Sequence, residues 1–564
     1  MPQTVLSFLL LCIGLSGCMG TEPAPPAIHA EVTAATGPSD ADAQRLVATH
    51  YFGDHWAKNF INAFRRDVVR GDFQRIREDG FNAVVLVVSW GDFQPVFEPC
   101  CAYDPRAFER LRFLLDEAQA AHLKVILRVG FAWTFHPDAG GSLWRQQRLM
   151  NEVAVRSAYL AFADRIAAEI ADRPQVVMSF GSWEDLPLHR IEASAAADYA
   201  EFLASLPAED ALHAVQSEVE QSGRSFPENA GASAELFQRY WDWLLIEKIF
   251  KPVQTRLPNY SFEVRIDKEP LPMADGEIRW LGHERTFALP NASVLTIYWA
   301  PFWGAQNQGE QLRAKQSLAL LEHLLDSVGT VTKLPIFIDQ LNFMDNTPGF
   351  ENNAVIRSDE LPAFLAEAAC LLRAKKVRGY ALWTGRDYRE SPLLNPTFSY
   401  GLDGWVYAPS AFARNAVEAL PNGDFQLRLK SDASLEQTIT VERGRLLHAD
   451  QRRDRMCVVA LADQDSALEV QLGPTTPSSV LAFAASTRPR TVCADLTPTI
   501  DAGQQVLHIK VQRGNLALRD VQVFDHVQSG AVYDENGNAL SLRDPVRAMN
   551  QAFLAQAPPA RCAP

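Results

Sequence analysis

The chain has 564 residues, 47% of them apolar and 21% charged, a balance that fits a folded, water-soluble protein too long for one ordinary domain. Its formal net charge of −15 speaks against a nucleic-acid partner, whose phosphates such a surface would repel. Neutral or cationic ligands suit it better.

In chain order, the first element is an apolar run from Val5 to Leu15, broken only by Ser7. It is too short to cross a bilayer as a helix and has the length of a signal-peptide core. The run closes on Leu15-Ser16-Gly17-Cys18, which resembles the lipobox of bacterial lipoproteins. That resemblance implies cleavage before Cys18 and acylation of its thiol, although Met1-Pro2-Gln3-Thr4 lacks the customary basic residue. A cleaved, soluble secretory signal is the alternative. Residues 19–45, rich in Ala, Pro, Thr and Gly, read as a flexible tether behind the 1–18 signal. The expected location is the cell envelope, lipid-anchored at the outer membrane and facing the periplasm or the exterior. No other segment reads as transmembrane.

Between residues 46 and 420, short β-branched runs alternate with longer amphipathic stretches, the pattern of βα units. Strands are predicted near Thr49–Gly53 and over Ala83–Ser89, Lys124–Gly130, Val176–Phe180, Tyr260–Ile266, Ser293–Tyr298, Leu334–Asp339 and Arg378–Trp383. Helices are predicted over Phe108–Ala121, Glu152–Ala171, Ala234–Pro252, Glu310–Ser327 and Asp359–Lys375, the first of them behind an Asp104-Pro105 start signal. Eight such strands, with no GxGxxG after an early one, favour a (β/α)₈ TIM barrel over an open doubly wound sheet. Leu206–Ser233 reads as an insertion.

From 421 to 530 the texture changes to short alternating strands: Phe425–Leu429, Leu435–Val441, Met456–Leu461, Leu468–Leu472, Gln505–Val511 and Val521–Phe524. With polar turns between them, they predict a β-sandwich. The segment 531–564 contains the helical Pro545–Leu554, expected to pack back on the barrel. Beyond the signal region lie Cys100, Cys101, Cys370, Cys457, Cys493 and Cys562; Cys457 with Cys493 is the expected disulfide. No Cys or His spacing points to a metal, and no cofactor is expected.

In a barrel of this kind the working residues follow the C-terminal ends of the strands. Those positions hold Asp54 and His55 after the first strand, Trp90 and Asp92 after the second, and Arg128 and Trp133 at the third. Glu184 and Asp185 follow the fourth, and Glu263, Arg265 and Asp267 lie at the fifth. Tyr298 and Trp299 end the sixth, Asp339 and Gln340 the seventh, and Trp383 the eighth. Aromatic rings at one rim suit a sugar, whose C–H faces stack on them, while burial in the core is the alternative for any single ring. Asp54 and His55 either bind hydroxyls or cap the next helix.

Over residues 50–415 the chain resembles the clan of retaining (β/α)₈ glycosidases that contains many cellulases, mannanases and β-galactosidases. The matches are Phe180–Asp185, Pro335–Gln340 and Gly379–Trp383. The resemblance implies an acid/base after the fourth strand, a nucleophile after the seventh and a tryptophan closing the eighth. Glu184 is the expected acid, with Asp185 in that role if the register shifts by one. The seventh strand departs from the clan, since the customary glutamate position holds Gln340, whose amide cannot attack. Asp339 lies one residue earlier, on the opposite face of a regular strand unless a bulge turns it back. The chemistry needs two carboxyl groups, one to protonate the leaving oxygen and one to attack or to activate water. Glu184 with Asp339 is the expected pair; Glu263 and Asp267 stand in reserve, with Arg265 to position either, and a salt-bridge layer under the site is the alternative for these three. The expectation is a monomeric hydrolase of poly- or oligosaccharides, with a catalytically silent sugar-binding lipoprotein as the other class that Gln340 leaves open.

Overall fold

A computed structural model describes residues 45–98, 100–131, 144–182, 196–228, 231–263, 271–272, 278–279, 285–286, 289, 292–301, 309–343, 354–408, 417–441, 455–474, 477–495, 503–527 and 532–557. The apolar runs of the first part form eight parallel strands: β1 (Leu46–Tyr51), β2 (Ala83–Ser89), β3 (Lys124–Phe131), β4 (Val176–Ser182), β5 (Tyr260–Glu263), β6 (Leu295–Trp299), β7 (Ile336–Leu341) and β8 (Gly379–Leu382). They hydrogen-bond in the order β5-β4-β3-β2-β1-β8-β7-β6. The ends of this sheet meet through side chains: the Thr296 amide of β6 donates to Ser261 Oγ of β5 at 3.2 Å, and the two hydroxyls lie 3.2 Å apart. The result is a nearly closed barrel.

The strand period of two divides each strand between two cores. Leu46, Ala48, Ala83, Val85, Ile126, Met178, Phe180, Phe337 and Ala381 fill the barrel interior. The alternate residues, such as Val47, Val84, Leu127 and Tyr380, face the helices in a larger core. A Cβ at Gly379 would collide with the Leu46 carbonyl, so only glycine lets β1 and β8 approach this closely. The first strand begins at Leu46, three residues before its predicted start, because Leu46, Val47 and Ala48 are all buried.

The principal helices around the barrel are α1 (Arg66–Glu78), α2 (Pro105–Ala120), α3 (Val153–Ile170), α4 (Ala234–Trp243), α5 (Ala314–Val331) and α6 (Leu361–Ala374). Asp104 caps α2 by accepting from the Arg106 amide at 2.9 Å, and Pro105 occupies the first helical position, where its missing N–H costs nothing. The expected insertion holds a helix of its own, Leu212–Gln221.

The second part begins with β9 (Tyr388–Glu390), then β10 (Val406–Ala408), β11 (Val417–Ala419), β12 (Phe425–Leu429), β13 (Ser434–Val441), β14 (Arg455–Ala462), β15 (Ser466–Leu472), β16 (Ser479–Phe483), β17 (Arg490–Asp495), β18 (Gly503–Arg513) and β19 (Leu516–Val527). One antiparallel sheet runs β11-β12-β19-β14-β17, with β9 also on β19, and the other β10-β13-β18-β15-β16. Their inner faces share one apolar core, a sandwich to which Leu393, Phe398 and Trp405 contribute ahead of residue 421. Cys457 and Cys493 sit directly opposite each other on β14 and β17, Cα atoms 4.1 Å apart, and are joined by a disulfide. Cys100 and Cys101 are joined to each other.

A last helix, α7 (Arg543–Leu554), returns to the barrel. Its buried Asn550 donates to the Asp79 carbonyl at 2.9 Å and accepts from the Tyr380 hydroxyl at 2.7 Å. Asp79 itself is fully buried and receives Arg543 at 2.9 Å.

Candidate active site in the barrel

The inward-facing rows end in polar residues at the C-terminal ends of the strands. Alternation from Leu46 and Ala48 brings His50 inward on β1, and Ile126 likewise brings Arg128 on β3. Ser182 follows Met178 and Phe180 on β4, and Glu263 pairs with it on β5. Tyr298 follows Thr296 on β6. This is the end of the barrel at which enzymes of this architecture work.

Arg128 is fully buried, and its Nη2 donates to Ser182 Oγ at 2.6 Å. The Ser182 hydroxyl in turn donates to Glu263 Oε2, which lies 3.7 Å from the guanidinium. Two opposite charges this deep offset each other's desolvation only while both are present. The guanidinium also stands 5.7 Å from the centre of the Trp383 ring, which meets His50 edge-on at 4.9 Å. Four strands, β1, β3, β4 and β5, and the end of β8 are thereby tied into one buried polar cluster.

The seventh strand carries a register shift. Ile338 pairs with Ile297, but the next paired residue is Gln340, opposite Tyr298, so Asp339 is the additional residue between them. The same irregularity shows toward β8. Phe337 faces inward two residues before Asp339, and Gln340 shares the face of Tyr298; the bulge therefore turns both Asp339 and Gln340 inward. Leu341, paired with Trp299, points out to the helices. Asp339 is fully buried, and its carbonyl lies 2.7 Å from His50 Nε2. A carbonyl only accepts, so the Nε2–H tautomer of His50 makes this bond. Burial and the Arg128 charge push the His50 pKa well below its ordinary 6.5, and the Asp339 carbonyl opposes them only in part.

The other residues expected at the site divide. Trp383 faces it. Trp299 does not: its ring stacks on Phe364 of α6 at 5.4 Å, in the layer between strands and helices. Neighbouring residues on a strand face opposite ways, so one with Tyr298 inward leaves Trp299 outward. Trp90 is enclosed by Tyr159 at 5.0 Å and Phe97 at 5.6 Å, with its indole donating to Gln94 at 2.7 Å, and is packing rather than a rim platform. Asp92 lies beside it in the short helix Trp90–Phe93, buried, where its charge acts on Arg145.

Asp54 and His55 face the sandwich. Asp54 pairs with Arg389 of β9 at 2.6 Å, and the Asp54 carbonyl accepts from the Arg389 amide at 2.8 Å. Burial opposes ionisation of Asp54, yet His55, Arg389, Arg386 and Arg65 together hold its carboxyl well below the usual range. Burial pushes His55 down against the attraction of Asp54 and Asp520. Trp133, Glu184, Asp185, Arg265 and Asp267, with Cys18, lie outside the described residues. Sequence reasoning missed His50 and Ser182; the signal was their spacing of two from Ala48 and Phe180.

No family model matches the chain, and neither does any curated protein. Among solved structures it is similar to an exo-β-1,4-mannosidase from Opitutaceae bacterium strain TAV5, at 16% identity and a TM-score of 0.39, over 61% of this chain and 53% of that one. The chain thus spans about half of that protein's length. It is also similar to GH5_18 from Streptomyces cattleya in complex with GlcNAc, at 17% identity and a TM-score of 0.38, over 61% and 71% of the two chains. For an endo-1,4-β-mannanase from Rhizomucor miehei the values are 11% identity and a TM-score of 0.38, over 62% and 88%.

Proposed function

We propose that this chain is a glycoside hydrolase that cleaves poly- or oligosaccharides at the mouth of its barrel, with Glu184 as general acid and Asp339 as the second carboxylate. The observation that carries the reading is that Asp339, two residues after the inward-facing Phe337, lies on the inner side of the barrel, where the register shift of β7 places Gln340 beside it, although the customary acid position is an amide. Glu184 follows β4 in sequence, and β4 itself stands across the barrel from β7. In the reaction Glu184 would protonate the departing glycosidic oxygen, and Asp339 would attack the anomeric carbon or take a proton from the water that does. Glu263, fixed by Arg128 and Ser182, is suited to accept hydrogen bonds from a sugar hydroxyl. Trp383 offers a ring to a pyranose face.

Purified protein is tested on a panel of polysaccharides and on aryl glycosides. Glu184→Gln should lower the rate on poor leaving groups by roughly 10²–10⁴-fold and spare activated aryl glycosides. Asp339→Asn should impair both, with thermal unfolding unchanged. Full activity in Asp339→Asn, combined with loss in Glu263→Gln or Asp185→Asn, reassigns the pair. A second reading, a sugar-binding barrel without catalysis, is favoured by Gln340 beside Tyr298; glycan binding with no product from any substrate would select it. We further propose anchoring to the envelope through acylated Cys18, on the strength of the Leu15–Cys18 motif. Fatty-acid labelling that survives Cys18→Ser rejects the anchor.

A further inference from the structure

The sheet containing β14, β17 and β19 turns its outer face to the barrel. Met456, Val458, Leu518 and Val521 point into the sandwich core, which leaves Cys457, Val459, Thr491 and Cys493 on the other side. On β19 the pairing slips between Val459–Asp520 and Ala460–Leu518, so Arg519 is the extra residue of a bulge. Bulges re-aim side chains, and this one turns Arg519 out of the core into the space between sheet and barrel.

That space comprises two cavities of about 400 and 420 Å³, which share Arg65, Asp67, Val459 and Thr491 as walls. Nine arginines and six carboxylates line them together, in a chain where 68 acidic residues outnumber 53 basic ones. Part of this charge is internally matched: Arg386 meets Asp72 at 2.5 Å and Arg389 meets Asp54 at 2.6 Å. In the larger cavity Arg110, Arg488 and Arg519 meet no carboxylate among the described residues. Arg110 donates to the Ile61 carbonyl and, at 3.3 Å, to the Tyr400 hydroxyl. The Nε of Arg519 is buried without a hydrogen-bond partner among the described residues. Burial raises the pKa of Asp520, one of the three carboxylates lining this cavity, which weakens its negative charge. Phe425 and the hydroxyls of Thr397 and Ser399 complete the wall.

We propose that this junction groove binds an acidic glycan, whose carboxylate or sulfate groups dock on Arg488, Arg519 and Arg110 while a sugar face lies on Phe425. A guanidinium presents a planar fork that matches both oxyanions, and the surplus of arginine over carboxylate makes the groove a local attractor in a chain of net charge −15. The groove is separate from the barrel cluster, so the inference stands whether or not the barrel hydrolyses sugars.

The test is calorimetry on the detergent-solubilised full chain at low salt, with three probes: an oligogalacturonate, a sulfated glycosaminoglycan oligosaccharide and a neutral mannooligosaccharide. Saturable binding of an acidic probe but not of the neutral one is expected, and the better of the two acidic probes identifies the anion. Arg488→Ala and Arg519→Ala should each weaken it by about 10- to 100-fold, the value of one charge-assisted contact. Arg488 is exposed, so Arg488→Glu carries the test if Arg519→Ala fails to fold. Equal binding of the neutral probe, no binding of either acidic one, or unchanged affinity in Arg488→Glu would overturn the proposal.

Discussion

His50 Nε2 lies 2.7 Å from the carbonyl oxygen of Asp339, so the first strand of the barrel holds the residue at which the seventh strand slips its register. A bulged residue loses its place in the ladder, and its carbonyl, fully buried here, needs another donor. His50 supplies it.

Removing that donor should disturb the bulge. His50→Ala leaves a buried carbonyl without its partner and should cost about 1–3 kcal/mol in denaturant unfolding. His50→Gln, which keeps an N–H of similar reach, should lose less than half as much. On the proposed reading, activity should follow the same order, Ala below Gln, because Asp339 is positioned through this bond. Equal effects of the two substitutions would show that the bond does not hold the strand.

His50 also sets a pH dependence. Its folded pKa lies below the ordinary 6.5, so the unfolded chain takes up the proton first. The stabilisation is therefore fully present above pH 6.5 and is lost as the pH falls below that value. Melting temperature should drop between about pH 7.5 and about pH 5, and the drop should be shallower in His50→Gln. His55, lowered in the same direction by its burial, accounts for part of what remains. A slope identical to that of the parent would exclude His50 as its source.

Arg128→Met should be strongly destabilising, by about 3–5 kcal/mol, because it removes the buried cation that stands 3.7 Å from Glu263. The double variant Arg128→Met with Glu263→Gln should recover most of that loss, since an amide can still accept from Ser182. Urea unfolding of the four proteins forms the cycle, and an additive result would mean that the two side chains are not coupled.

Asn550→Ala should test the return of α7 to the barrel. It removes a donor to the Asp79 carbonyl and an acceptor for the Tyr380 hydroxyl, both buried, and should lower stability by about 2–4 kcal/mol. Limited proteolysis should then release α7 ahead of any cut in the strands. A loss below about 0.5 kcal/mol would make the helix a passive appendage.

The local alphabet determined a good deal by itself. The β-branched runs identified all eight barrel strands, since a strand buried on both faces needs an unbroken apolar row. They also identified, in whole or in part, β12 to β15, β18 and β19, while β9, β10, β11 and β16 were not among the predicted strands. Cys457 and Cys493 were legible as partners because both lie in strand-like runs of one sheet domain. What a strand's neighbours decide was not legible. Whether Tyr298 or Trp299 faces the barrel interior depends on how β6 pairs with β7, and one residue of register exchanges every side chain between the two cores. Asp339 and Gln340 share the inner face only through a bulge that exists in relation to β6 and β8. Asp54 and His55 were drawn to the sandwich by Arg389, 335 residues away in sequence from Asp54. Composition and period are properties of a segment, and the chain alone determined them; facing, register and charge pairing are properties of contacts between distant segments, and these only the tertiary structure decided.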